Sequence, residues 1–108
     1  MKNFLFRVIR SKHMYKQIEL TTTTLDLAIK DFKYQSYFLK IDVQGNELEV
    51  LKGGIAVLSQ ALSVLIEVMP SNARQVEIHE ILTSCGLELS NTIGSNSRNR
   101  IYTRARTN

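Results

Sequence analysis

The chain has 108 residues, enough for one domain with one modest core. Hydrophobic residues make up 44% and the single cysteine is Cys85, which argues against a disordered chain and excludes a disulfide scaffold or a cysteine-cluster zinc site. The formal charge of +4 is uneven: residues 1–16 and 89–108 carry only bases, and all ten acids lie between them.

Basic ends could meet nucleic acid or anionic lipid. The plainer reading is solvated termini that keep the chain soluble, and no nucleic-acid partner is expected. Residues 1–16 do not read as a secretory signal, because "FLF" is cut by Arg7 and followed by "RSKH". No apolar run approaches the roughly 20 residues of a membrane span. A lone cysteine suits a reducing compartment, so a cytoplasmic location is expected.

Residues 17–20 (QIEL) read as a short strand. A helix follows, with Thr23 or Thr24 as N-cap and Asp26 in the first turn, where negative charge suits the helix dipole. Leu25, Ile29 and Phe32 recur at i, i+4 and i+7, which predicts one buried stripe. Residues 37–43 (YFLKIDV) are nearly continuously apolar and suit a strand buried on both faces of a parallel sheet. Gln44 and Gly45 turn the chain, and Asn46 can cap a helix carrying Leu48, Leu51, Ile55 and Leu58. Gly53 and Gly54, each costing about 1 kcal/mol inside a helix, split it into one ending near Lys52 and another starting near Ile55.

Residues 63–69 (SVLIEVM) are the second buried-strand candidate, closed by Pro70. A helix over 73–84 follows, with Val76, Ile78, Ile81 and Leu82 as its apolar residues and Gly86 as its stop. Residues 87–93 (LELSNTI) and 101–105 (IYTRA) read as a strand pair around a polar loop. The alternation predicts an α/β fold: a mostly parallel sheet with right-handed crossovers and a C-terminal antiparallel hairpin at its edge.

Asp42 falls near the carboxyl end of a predicted parallel strand, where open α/β sheets bind ligands. It could act there as a base or a metal ligand, or it could cap the amides of the next helix; the residues leave both readings open. Glu47 and Glu49 lie in the first turn of that helix, where they suit its N-terminus. Glu67 interrupts an apolar strand, so it should pair with a base such as Lys40 or face a cleft. His13 and His79 stand alone and read as surface or structural, and Cys85 as a small core residue. Gly45, Gly53, Gly54, Gly86 and Gly94 build no G-x-G-x-x-G and no P-loop.

Three stretches in order, "TTTTLDLAI", "FLKIDVQGNELEVLKGG" and "LIEV", resemble the FkbM family of S-adenosylmethionine-dependent methyltransferases. The signature is a Thr-Leu-Asp helix start, then K-I-D-V-E/Q-G-x-E-x-E-V-L-K-G, then a strand ending in Glu-Val; it covers about residues 17–90 and leaves 1–16 as a basic segment. The resemblance implies a Rossmann-like methyltransferase fold and, in the complete enzyme, O-methylation of a small-molecule hydroxyl on a sugar or secondary metabolite. It carries over Thr24, Leu25, Asp26, Lys40, Asp42, Gly45, Glu47 and Glu67. Lys40, Asp42, Glu47 and Glu67 are then the catalytic candidates, and Asp42 with Glu47 the candidate ligands of a divalent cation.

The family's Asp-Val-Gly-Ala-Asn-x-Gly cofactor turn matches nothing here. The chain therefore looks like the C-terminal half of a single truncated domain spanning 1–108. This chain alone is expected not to bind S-adenosylmethionine, and the strand at 38–43 is expected to offer an open edge for self-association. The competing reading is a non-catalytic remnant that serves as a binding or interaction module.

Overall fold

The computed structural model describes residues 2–11, 14–33 and 35–105, with the backbone alone for residues 2–11, 14–20 and Ser95. Strands β1 (Lys2–Ser11) and β2 (Met14–Thr22) pair antiparallel in a sheet of their own, from Lys2 opposite Thr22 to Ile9 opposite Tyr15. The strand expected at 17–20 lies within β2. Its partner β1 runs through the basic segment, where Phe4, Phe6, Val8 and Ile9 supply β-favouring residues. His13 and Arg106 lie outside the described residues.

Helix α1 (Leu25–Ala28) is a single turn started by Thr24, whose hydroxyl accepts the Leu27 amide at 3.2 Å. The expected buried stripe does not form: no residue of α1 is buried, and Phe32 is 57% exposed. One turn offers too little surface to bury a stripe, and polar contacts hold α1 instead. The Asp26 amide donates to the Gly53 carbonyl at 2.9 Å, and its carboxylate accepts the amides of Ala56 and Val57 at 3.1 and 2.9 Å. Asp26 thus caps a helix thirty residues away.

The main sheet has the order β3-β4-β6-β5, built from β3 (Phe38–Ile41), β4 (Ser63–Glu67), β5 (Leu87–Ile93) and β6 (Asn99–Arg104). Only β3 and β4 pair parallel; β6 pairs antiparallel with both β4 and β5. The sheet is therefore mixed: β3, β4 and β5 run the same way and β6 alone runs against them. The short turn after β5 sends β6 back between β4 and β5, which makes both of its pairings antiparallel and leaves β5, not β6, at the edge.

Helices α2 (Glu47–Lys52), α3 (Ile55–Leu58) and α4 (Gln75–Ser84) pack on one face of this sheet. Leu48, Leu51, Leu58, Ile78 and Leu82 meet Ile41, Val64, Ile66 and Tyr102 in the core. Along β4, Val64 and Ile66 are buried while Ser63, Leu65 and Glu67 are half-buried on the other face. Strand β3 behaves likewise, with Phe38 75% exposed, so its apolar run is buried on one face and not on two.

The break at Gly53 and Gly54 falls where the sequence puts it. A Cβ on Gly54 would lie 2.8 Å from Leu25 Cδ2, so the glycine also lets α1 close on α3. Gly86, at φ +86°, ends α4. Beside it, Arg104 donates from Nε to the Ala61 carbonyl at 2.8 Å, from Nη1 to Cys85 at 2.9 Å and from Nη2 to Leu58 at 2.6 Å. This arginine is a clamp on two helix ends rather than part of a solvated tail. Cys85 is buried as expected, and His79 serves structure, its Nδ1 lying 2.8 Å from the Tyr102 hydroxyl.

Candidate functional site at the strand ends

The loops after β3, β4 and β5 converge at one end of the main sheet, since Ile41 pairs with Ile66 and Asn99 pairs with both Glu67 and Ile93. Asp42 follows the last residue of β3 and is exposed. Its Oδ1 accepts the Gln44 side-chain amide at 2.9 Å. Gln44 has φ +53° and Gly45 φ +103°, so the chain makes a left-handed turn directly under this carboxylate. Such a conformation is uncommon for glutamine and ordinary for glycine.

Neither Asp42 nor Asn46 caps α2 through its side chain: Asn46 occupies the N-cap position without a side-chain bond. Glu47 instead holds the turn that precedes the helix. Its Oε1 reaches back to the Gly45 amide at 3.2 Å, and the residue is only 1% exposed, with Oε2 buried and unpartnered. Of the two candidate cation ligands, Glu47 therefore points inward and holds the turn, while Asp42 stays exposed. Among the described residues no group of three His, Cys, Asp or Glu is placed to hold a metal ion.

Glu67, one residue beyond the Ile41–Ile66 pair, stands in the row that Asp42 continues. It does not pair with Lys40. The ion pairs among the described residues are Lys52 with Glu49 at 3.9 Å and Arg74 with Glu77 at 3.2 Å, both on helix surfaces. Lys40 is exposed on the same sheet face as Glu67. Nearby, the Arg98 carbonyl accepts the Val68 amide at 2.7 Å, and Arg100 donates to Gln75 at 2.8 Å. Gln44 escapes sequence reasoning because a glutamine in a turn carries no spacing signal; only the register of the turn reveals it.

The family model for the methyltransferase FkbM domain matches residues 4–89. The chain belongs to the FkbM methyltransferase family. The match begins earlier than the motifs at residue 17 and takes in both strands of the hairpin. No curated protein and no solved structure matches the chain. No helix among the described residues is long and apolar enough to cross a membrane.

FkbM methyltransferases generally depend on S-adenosylmethionine. The described residues do not fit that group. Gly53 and Gly54 pack against Thr24 and Leu25, Gly86 against Arg104 and Gly94 against Asn99, so these four glycines leave no cradle for a ligand. Gly45 alone faces open space. A cleft of about 230 Å³, lined by Asp26, Lys30, Phe32, Tyr37, Val57 and Gln60 among others, lies at the opposite end of β3. It is smaller than the roughly 300–1,000 Å³ usual for ligand pockets, and its Asp26 is occupied in capping α3. Burial raises the Tyr37 phenol above its ordinary range, with the Arg104 charge opposing, while the hydroxyl donates to the Val57 carbonyl.

Proposed function

We propose that this chain contributes the acceptor side of an FkbM-type O-methyltransferase with a Rossmann-like sheet. In this reading Asp42 receives the proton of a substrate hydroxyl on a sugar or secondary metabolite. The observation that carries the reading is the state of Asp42: exposed beyond a parallel strand, with Oδ1 held by Gln44 and Oδ2 without a hydrogen bond among the described residues. A general base needs one such accessible oxygen and contributes about 10²- to 10⁴-fold to rate. Family membership supplies methyl transfer as the reaction class. A divalent cation shared by Asp42 and Glu47 is the weaker version, because Glu47 commits Oε1 to the Gly45 amide and is buried.

The test uses a complete, active FkbM enzyme carrying this same segment. Asp42→Asn is expected to lower kcat about 100-fold or more. The melting temperature should be nearly unchanged, since Asp42 caps no helix. Full retained activity would remove Asp42 from the reaction and favour the non-catalytic reading of the chain.

A further inference from the structure

We propose that Arg98 and Arg100 form a binding site for a phosphate monoester carried by a small molecule. The ladder between β4 and β6 sets Ile66 opposite Arg100 and Glu67 opposite Asn99, and one step further the Val68 amide donates to the Arg98 carbonyl. Opposite residues of an antiparallel pair share a face, and so do residues two apart on one strand. Ile66 and Val68 are buried on the helix-covered face, so Arg98 and Arg100 belong to that face too, about 7 Å apart along the chain entering β6. Both arginines are half-buried. Arg100 is held: its Nη2 donates to Gln75 Oε1 at 2.8 Å, at the first residue of α4, and its guanidinium lies beside the Tyr102 hydroxyl. Arg98 is not held. Its Nε is buried without a hydrogen-bond partner, and its side chain donates to nothing among the described residues.

The charge of this pair is uncompensated. Neither arginine takes part in an ion pair among the described residues. Glu67 lies on the opposite face of the sheet, and Glu77, in the first turn of α4, is taken by Arg74 at 3.2 Å. Two half-buried guanidiniums, one with an orphaned donor, call for an acceptor from outside the chain. The paired N–H groups of a guanidinium match phosphate oxygens, and two such cations balance a phosphate monoester of nearly two negative charges. A single carboxylate would leave one cation unmet. The start of α4 beside Arg100 has no side-chain cap, and its dipole adds to the same preference. Half-buried on one short stretch, the pair suits one phosphate group rather than the run of them along a nucleic acid. It stands at the sheet end that carries Asp42, two strand spacings or about 10 Å across. On the role proposed for Asp42, the phosphate belongs to the methyl acceptor and anchors it; the phosphate site itself does not depend on that role.

Side-chain NMR of the full chain, following the Nε–H signals of Arg98 and Arg100 at constant ionic strength, tests the proposal. Inorganic phosphate and glycerol phosphate are expected to move both signals saturably, with dissociation constants of roughly 1 mM. Glycerate should bind about ten-fold more weakly, and glycerol not at all. Arg98→Ala is expected to weaken phosphate binding about ten-fold or more, and Arg98→Lys to recover only part of the loss, because it restores the charge without the fork. Neither variant removes a side-chain hydrogen bond of the described residues, and an unchanged melting temperature shows that both fold. No arm involves methyl transfer, so failure here is distinct from failure of the Asp42 test. Signals that move alike when chloride replaces phosphate, an affinity indifferent to Arg98→Ala, or glycerate bound as tightly as phosphate would overturn the site. A thymidine oligonucleotide bound about ten-fold or more tighter than glycerol phosphate would overturn the small-molecule assignment and give the pair to nucleic acid.

Discussion

Asp42 and Glu47 stand five residues apart in one turn and end in opposite environments. The first faces water beside Gln44; the second is buried and holds the Gly45 amide. Glu47→Gln keeps an acceptor for that amide and replaces the unpartnered oxygen with an amide group, so stability is expected to stay within about 1 kcal/mol of the parent. Glu47→Ala strips the amide of its partner and opens a void beside Leu48 and Leu51, at a cost of about 2–3 kcal/mol. Urea unfolding of both variants separates the two outcomes. Asp26 is another carboxylate of the family signature, and it caps α3 through two amides. Asp26→Ala is expected to cost about 1–2 kcal/mol, lowering the melting temperature by several degrees. Scanning calorimetry checks it. The sequence pointed to Asp42 as a strand-end residue because position along a parallel strand is readable from an apolar run. It could not divide labour between Asp42 and Glu47, since that depends on the left-handed turn at Gln44 and Gly45.

At the scale of elements, the contact between α4 and β6 is polar at both ends. Arg104 clamps the carbonyl of Cys85, the C-cap of α4, while Gly86, beside its guanidinium, keeps φ +86°. A Cβ on Gly86 would lie 2.6 Å from Arg104 Nη1, so Gly86→Ala meets both a steric and a conformational penalty. Further along, Tyr102 is fully buried and bonded to His79. Burial raises its phenol above the ordinary value of 10.0, with Arg100 opposing the shift. A pKa raised by folding means the folded state resists losing the proton. Its contribution is therefore whole below pH 10 and is lost as pH rises through the elevated folded value. Stability is expected to fall on that alkaline side, and Tyr102→Phe should flatten the fall, as read by melting temperature against pH with tyrosinate absorbance alongside. The sequence placed α2, α3, α4 and both C-terminal strands to within two residues, because glycines, caps and helical spacing are local signals. It misjudged α1 and did not foresee β6 between β4 and β5, because one turn can satisfy a helical spacing without burying it, and because strand order is decided by where β6 inserts.

For the molecule as a whole, the sheet and its three helices make a core on one side only. What remains exposed among the described residues includes Phe38 and Lys40 on the other face of the sheet and the Asp42 turn, while Leu65 and Glu67 beside them are half-buried. The family resemblance was legible because three motifs kept their order and spacing, and the family match bears it out over residues 4–89. The cofactor is a different matter, since binding a nucleoside requires backbone that lets the ligand approach closely. Four of the five glycines are closed off by Thr24, Leu25, Arg104 or Asn99, and Gly45 sits in a turn held by a buried carboxylate. The described cleft lies at the wrong end of β3 for a ligand that must meet a hydroxyl beside Asp42. Calorimetric titration of this chain with S-adenosylmethionine up to about 1 mM is therefore expected to give no saturable heat. Chemical-shift mapping in the same range should leave the amides of Gln44 and Gly45 unmoved. A micromolar dissociation constant with shifts centred on those two residues would mean that the strand-end turn alone binds the methyl donor, and the acceptor-side assignment of Asp42 would then have to be redrawn.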